Sequence, residues 1–232
     1  MTMTRLIKGL FFSITAMLMI SCSGQMSSKK EVTLSTELDS VSYAIGIDIA
    51  TNLKKSGFED INTDALAQGF ADIYSEKEDV MDSRTANTLV MTYFNKEKQK
   101  KGEKNLQEAQ AFLDENKNKE GVVTTESGLQ YKVITEGSGP KPTAEDRVRV
   151  NYKGTLIDGR EFDASAPGNP AEFKVNGVIK GWIEGLQLMP VGSKYELYIH
   201  PDLAYGTTPR QGGIIEANHL LIFELELLEI VK

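Results

Sequence analysis

Arg147-Val148-Arg149-Val150-Asn151-Tyr152-Lys153-Gly154-Thr155 is the stretch that most clearly indicates the fold of the C-terminal half. Apolar and polar side chains alternate along it: the apolar set is Val148, Val150 and Tyr152, and the polar set is Arg147, Arg149, Asn151 and Lys153. Because successive side chains of a β-strand point to opposite faces, this alternation predicts a strand with one buried face and one face in solvent.

The same alternation recurs on both sides of this strand. It appears at residues 129–135, at Tyr195, Leu197 and Ile199, and at Leu221, Phe223, Leu225 and Leu227. Residues 183–188 leave room for one short helix, and the turn cluster Gly137-Ser138-Gly139-Pro140 separates two of the strands. Residues 120–232 are therefore predicted to form an antiparallel sheet of about five strands wrapped on one short helix.

Residues 39–119 have helical periodicity instead, so the fold class of the whole chain is α+β, with an all-α N-terminal domain. We expect Asp39 and Ser40 to cap the first helix, the second helix to start at Thr63 or Asp64, and Ser83 to cap the third. The third helix runs to about residue 119 and connects the two domains. Gly102 weakens it by about 1 kcal/mol relative to alanine.

The apolar stripes of these helices are short, as in Leu66, Phe70, Ile73 and Tyr74. Two interpretations remain open. The helices pack against one another within one chain, or they bury their stripes in a homodimer. The small size of each stripe favours the dimer, because small helical units usually need a partner to form a core.

The first 21 residues are predicted to be an export signal. Arg5 and Lys8 precede an apolar stretch at residues 9–20, which is shorter than the roughly 20 residues that span a bilayer. Met19-Ile20-Ser21-Cys22 resembles a bacterial lipobox, although methionine stands where leucine is usual. Cys22 is therefore the expected lipid anchor and residues 22–38 a lipidated, flexible tether, which implies a periplasm-facing lipoprotein of the cell envelope, in the outer membrane. The alternative is ordinary signal cleavage beside an incidental cysteine.

Composition limits the partners and cofactors. Binding of nucleic acid needs a concentrated basic face, and the net charge of −7 does not indicate one, so nucleic acid is not an expected partner. Cys22 is the single cysteine, which rules out an intrachain disulfide and a thiolate zinc cluster. His200 and His219 lack further ligands at metal-binding spacing, so no metal is expected. Neither a phosphate-binding loop nor a dinucleotide-binding motif is present in the sequence, so no other cofactor is expected.

Five ordered motifs within residues 125–232 resemble the FKBP-type peptidyl-prolyl cis-trans isomerases. They are Val150-Asn151-Tyr152-Lys153-Gly154 with Asp158-Gly159-Arg160-Glu161-Phe162-Asp163-Ala164-Ser165, then Val178-Ile179-Lys180-Gly181-Trp182-Ile183-Glu184-Gly185-Leu186, Pro201-Asp202-Leu203-Ala204-Tyr205-Gly206, and Phe223-Glu224-Leu225-Glu226-Leu227-Leu228. The N-terminal half is similar to the dimerisation region of the Mip and FkpA-like bacterial members, through Tyr43-Ala44-Ile45-Gly46 and Phe112-Leu113-Asp114-Glu115-Asn116.

The resemblance implies a peptidyl-prolyl isomerase that acts on X–Pro bonds of exported, unfolded polypeptides and has chaperone activity. It nominates as catalytic residues Tyr152, Phe162, Asp163, Trp182, Tyr205 and Phe223, and as substrate-binding residues Phe173, Val178, Ile179 and Ile215. Trp182 is the implied pocket floor, and Asp163 is implied to bind Tyr152. The Tyr205 hydroxyl and the Ile179 N–H are implied to hold peptide carbonyls.

Three departures from the family pattern change the rim of the implied pocket and leave its substrate preference open; the altered loop among them also leaves an alternative, a non-catalytic FKBP-fold chaperone or adaptor. Ala171 stands where an aromatic wall residue is common, the loop at residues 207–213 is unusual, and Glu216-Ala217 replaces a proline pair. Taken singly, Tyr152, Trp182 and Phe223 are also more typical of a core than of a pocket. Joint retention of the six nominated catalytic residues favours the enzyme.

Overall fold

The computed structural model of the protein describes residues 32–58, 60–75, 81–209 and 212–231. The predicted signal, Cys22 and most of the tether lie outside the described residues. Contacts divide the chain into two compact units, one up to Asn52 and one from Leu53 onwards. Across the described ranges, no helix combines the length and apolarity needed to cross a membrane.

The elements follow the predicted order of helices and then strands. The helices are α1 (Glu37–Lys55), α2 (Thr63–Tyr74), α3 (Ser83–Asn116) and α4 (Lys180–Leu188). The strands are β1 (Val122–Thr124), β2 (Gln130–Thr135), β3 (Arg147–Thr155), β4 (Glu161–Ala164), β5 (Ala171–Lys174), β6 (Lys194–Ile199) and β7 (Leu221–Val231). The predicted α+β class is confirmed.

The caps predicted for α1 and α3 are wrong, the first by three residues and the second by one. At α1, the Asp39 N–H donates to Thr36 Oγ1 at 3.0 Å and the Thr36 N–H donates to Asp39 Oδ2 at 2.9 Å, so Thr36 caps the helix and Asp39 lies in its first turn. At α3 the cap is Asp82, whose Oδ1 accepts from the Thr85 N–H at 2.9 Å. Several neighbouring polar residues suit the cap position at the start of each helix, and the backbone geometry determines which of them caps it.

α1 and α2 contain no buried residue, although both carry apolar stripes. Tyr43 and Ile45 in α1 are 56% and 52% exposed, and Ile73 in α2 is 65% exposed. The stripes of these two helices are therefore left uncovered in the chain as described.

All strand pairs are antiparallel, in the order β1-β2-β6-β7-β3-β4, with β5 also paired to β3. Among the described residues the sheet has seven strands, where about five were expected. β1, β4 and β5 have three or four residues each, too few to leave a recognisable alternation.

α4 lies directly on the sheet because its glycines face β6. A Cβ on Gly181 would lie 2.5 Å from Ile199 Cγ2, and a Cβ on Gly185 would lie 2.7 Å from Leu197 Cδ1. One helical turn apart, the two glycines form a flat face that lets the helix approach the strand. The approach buries Trp182 between helix and sheet.

The last turns of α3 pack on the same sheet. Ala109 and Leu113 are buried against Tyr198 and Leu220. At the end of the helix, the buried Asn116 Nδ2 donates a hydrogen bond to Gln130 Oε1 at 3.0 Å, which attaches the helix to β2. The helix stops at Asn116, a few residues before the expected end, because the N–H groups of Asn118 and Lys119 bond to the carbonyls three residues earlier.

Candidate active site

One cavity of about 440 Å³ opens between α4, the sheet and the loops that join the strands. Its wall contains all ten residues nominated from the sequence, namely Tyr152, Phe162, Asp163, Phe173, Val178, Ile179, Trp182, Tyr205, Ile215 and Phe223. These residues come from positions spread over more than 70 residues of the chain. The structure therefore brings the whole nominated set together.

Trp182 is the centre of the aromatic wall. Its ring meets three others nearly edge-on: Tyr152 at 5.2 Å, Phe173 at 5.4 Å and Phe223 at 5.1 Å between centroids. Edge-to-face contacts of this kind add to the stability gained by burial alone. Only 4% of the Trp182 surface is exposed, so these neighbours enclose the ring, which forms the base of the cavity.

Phe162 reaches the cavity because its ring packs over Gly154 of the neighbouring strand, whose register partner is Asp163. A Cβ on Gly154 would lie 2.5 Å from Phe162 Cζ and 2.8 Å from Phe223 Cε1. The missing side chain leaves space in which Phe162 packs edge-on against Phe223, with centroids 5.3 Å apart. β4 is short, so this contact and its pairing with β3 fix where Phe162 points.

The polar side of the wall is a tyrosine–carboxylate pair. The Tyr152 hydroxyl donates to Asp163 Oδ2 at 2.9 Å, as the resemblance implied. Burial, followed by the bond to Asp163, raises the pKa of Tyr152 to about 12. The phenol therefore stays protonated at neutral pH and holds the Asp163 carboxylate at the rim.

Tyr205 and Ile179 both line the cavity, each at the edge of a short turn or helix. Tyr205 follows the short 3-10 turn Pro201–Leu203, and the next residue, Gly206, closes that turn by donating to the Pro201 carbonyl at 3.0 Å. Ile179 is the residue before α4, and its carbonyl accepts from the N–H groups of Trp182 and Ile183. Its backbone is extended, which leaves it outside the helix at the cavity edge.

Sequence reasoning missed three residues of the wall: Gly177, Gly213 and Ile214. Ile214 is adjacent to the nominated Ile215, so a pair of isoleucines was the available signal. The two glycines offer only backbone, which no side-chain pattern reveals. Ala171, one of the departures from the family pattern, lies on β5 and pairs with Val150 of β3.

Neither histidine is part of the cavity wall. His200 Nδ1 accepts from the Asp202 N–H at 3.2 Å, and His219 Nδ1 accepts from the Glu216 N–H at 3.0 Å. Within the part of the chain that the structure covers, no three His, Cys, Asp or Glu side chains are grouped to hold a metal ion.

Comparison with known proteins assigns both halves of the chain. Residues 38–133 match the domain amino-terminal to FKBP-type peptidyl-prolyl isomerase, and residues 139–228 match FKBP-type peptidyl-prolyl cis-trans isomerase. The outer membrane protein MIP of Legionella longbeachae is 43% identical over 230 residues, which is 94% of this chain and 97% of that protein. The FKBP-type 22 kDa peptidyl-prolyl cis-trans isomerase of Escherichia coli is 45% identical over 82% of this chain and 94% of its own.

A solved structure supports the same assignment. The crystal structure of FkpA from Escherichia coli superposes with a TM-score of 0.69 at 33% identity, covering 85% of this chain and 98% of that one. Matches of this extent include the helices as well as the sheet. Together with the aromatic cavity, they show that this chain belongs to the FKBP-type peptidyl-prolyl cis-trans isomerases, in the bacterial group whose isomerase domain follows a helical amino-terminal domain.

Proposed function

We propose that the aromatic cavity is the isomerase site and that its substrates are X–Pro bonds of exported polypeptides. The observation that carries this proposal is the ring of edge-on aromatics around Trp182, open to solvent on one side. A closed core of the same residues would leave no room for a prolyl ring, whereas a cavity of about 440 Å³ accommodates one with its neighbouring residue.

Desolvation is the main catalytic effect in such a site. Rotation about the X–Pro bond faces a barrier of about 18–20 kcal/mol, because resonance gives the C–N bond double-bond character. Resonance also places negative charge on the carbonyl oxygen, which water stabilises in the planar amide. An apolar aromatic wall removes that water, so the twisted and less polar amide is bound better than the planar one.

Fixed polar groups at the rim orient the substrate. In this proposal the Tyr205 hydroxyl and the Ile179 N–H donate to peptide carbonyls on either side of the prolyl ring. Asp163, held by Tyr152, shapes the wall beside them. None of these groups transfers a proton or attacks the substrate, so the reaction is one of binding and rotation alone.

The cell envelope is the proposed location, with Cys22 as the lipid anchor. The Met19-Ile20-Ser21-Cys22 sequence and the apolar stretch before it support this assignment. The relative from Legionella longbeachae is named an outer membrane protein, which agrees with an anchor in that membrane.

A homodimer built from the helical domain completes the proposal. α1 and α2 bury none of their residues, and α3 exposes Leu89, Val90 and Tyr93, each by half or more. Apolar surface of this extent is unusual on a lone protein and is covered in dimers of helical units. A dimer presents two cavities to one unfolded client and so raises its effective concentration at each site. Apolar helix surface left outside the dimer contact would serve as a chaperone surface for the same clients.

A protease-coupled prolyl isomerisation assay tests the site. We expect the full chain, purified in a mild detergent, to accelerate isomerisation of an X–Pro peptide, and Tyr205→Phe to lower kcat/KM about fivefold to tenfold through loss of one hydrogen bond. Tyr131→Phe is the matched control, since Tyr131 stacks on Tyr195 and does not line the cavity. No acceleration with several peptides, in a folded protein that still prevents client aggregation, would establish the non-catalytic chaperone instead.

A further inference from the structure

The middle of α3 is docked on the loop at residues 215–218, which contributes Ile215 to the cavity wall. Asn105, 7% exposed, donates from Nδ2 to the Ala217 carbonyl at 2.9 Å. In the opposite direction, Asn218 donates from Nδ2 to the Gly102 carbonyl at 3.1 Å. Gly102 permits the approach, because a Cβ there would lie 3.2 Å from the Cβ of Ala217. The helix and the loop are thus joined by two amide hydrogen bonds across more than 110 residues of sequence.

Asn218 connects α3 to a residue adjacent to the cavity. It is the one non-glycine residue among those described whose φ is positive, at 59°, a conformation that asparagine tolerates better than most residues. Its backbone N–H donates to the Gly206 carbonyl at 2.8 Å, and Gly206 directly follows Tyr205. On the other side, Glu216 pairs with Lys101 of α3 at 2.9 Å and directly follows Ile215.

We infer that Asn105 and Asn218 are positioning residues for the isomerase site: through them, α3 sets the placement of Tyr205 and Ile215 at the cavity mouth. The inference rests on the proposed role of the cavity. Tyr205 directly precedes Gly206, which accepts a hydrogen bond from Asn218, and Ile215 directly precedes Glu216, which pairs with Lys101 of α3. Displacement of the loop from the helix therefore moves both Tyr205 and Ile215. The same contact accounts for glycine at position 102, where any side chain would press on the loop.

A purely structural role for the contact makes a different prediction. The C-terminal turns of α3 are already fastened to the sheet by Ala109 and Leu113, which are buried against Tyr198 and Leu220. If Asn105 only adds to that fastening, its loss and the loss of part of Leu113 have the same kind of effect. If it positions the loop, only the loss of Asn105 or Asn218 changes substrate affinity.

The single tryptophan, Trp182, permits a binding measurement that is independent of catalysis. We would titrate the full chain in detergent with an X–Pro peptide, follow Trp182 emission, and measure kcat and KM with the same peptide. Asn105→Ala, and Asn218→Gly, which retains the positive φ, are expected to raise Kd and KM about threefold to tenfold while the thermal midpoint changes little. Leu113→Val is expected to lower the midpoint and leave Kd and KM unchanged.

The result that overturns the inference is an unchanged Kd and KM in both asparagine variants, or an equal change in Leu113→Val. Gly102→Leu adds an independent check, because leucine favours the helix and yet does not fit beside Ala217. A raised KM in that variant supports positioning, and an unchanged KM contradicts it. A wild-type chain that binds the peptide without isomerising it contradicts the proposed function alone, and the Kd values still decide the role of the asparagines.

Discussion

At the scale of single residues, the bond between Tyr152 and Asp163 is the polar feature of the cavity that titration can probe. The pKa of Tyr152 is raised to about 12, first by burial and then by its bond to Asp163, so its phenol does not ionise between pH 6 and 9. We therefore expect kcat/KM of the isomerisation to be independent of Tyr152 ionisation over that range.

Tyr152→Phe, which removes the hydroxyl and keeps the ring, should lower kcat/KM about threefold to tenfold. Asp163→Ala, which removes the acceptor, should lower it similarly, and a double variant no worse than either single one would show that the two act together. A clear ionisation near pH 8 that disappears in Tyr152→Phe would contradict this assignment.

His219 predicts how stability depends on pH. Burial, the largest cause, lowers the pKa of His219 from 6.5; Arg160 and Lys101 act in the same direction, and Glu216 and Asp158 oppose them. Below pH 6.5 the unfolded chain therefore binds a proton that the folded chain does not, so the free energy of unfolding is largest above pH 6.5 and falls as the pH is lowered towards the folded pKa. The slope from this one group is at most about 1.4 kcal/mol per pH unit. Urea unfolding between pH 7.5 and 5.5 checks this, and His219→Gln should flatten the curve; an equally steep curve in that variant would assign the effect to other groups.

At the scale of the elements, the glycine face of α4 determines where the base of the cavity lies. Gly185→Ala would normally favour a helix, but here its Cβ would lie 2.7 Å from Leu197 Cδ1, so we expect overpacking to destabilise the chain by about 1–3 kcal/mol. Trp182 emission, followed during urea unfolding, measures the loss. Gly69→Ala in α2 is the matched control, because its Cβ meets nothing within 4 Å and the change should leave the Trp182 transition in place. Equal behaviour of the two variants would mean that α4 does not depend on close approach to β6.

At the scale of the whole molecule, assembly and catalysis should be separable. α1 exposes Ile45 by 52% and Val41 by 49%, on one stripe of the helix. We expect the double variant Val41→Lys and Ile45→Lys to convert the proposed dimer into monomers in sedimentation velocity, because two charges would have to be buried at the proposed contact. kcat/KM for a short peptide should be unchanged, since the cavity is complete within one chain, whereas refolding of a long client should slow as the second site is lost. Thr51→Lys, an exposed position elsewhere on α1, serves as the control. A wild-type chain that is monomeric at micromolar concentration would contradict the proposed dimer.

The ten residues nominated from the sequence make up most of the cavity wall, but they do not include the glycine and asparagine contacts that support it. All ten nominated residues line the cavity, because motif order and spacing carry information about a whole fold. The three missed wall residues are two glycines and a neighbour of Ile215. Helix propensity alone makes Gly102 a weak point of α3, whereas the structure places it at a close contact with Ala217. That contact joins residues far apart in the chain, so no local pattern indicates it.

The sequence by itself determined the order of helices and strands, the α+β class, and which face of β3 and β7 is buried. These features follow from periodicities of 2 and 3.6 residues, which the geometry of the chain imposes locally. Only the tertiary structure decided the short strands β1, β4 and β5, the cap at each helix, and the contacts of Gly154, Gly181 and Gly185 with bulky neighbours. It also decided that Asn105 meets Ala217. Such features depend on close packing between distant segments, where tenths of an ångström matter, and they are not encoded in the pattern of any one segment.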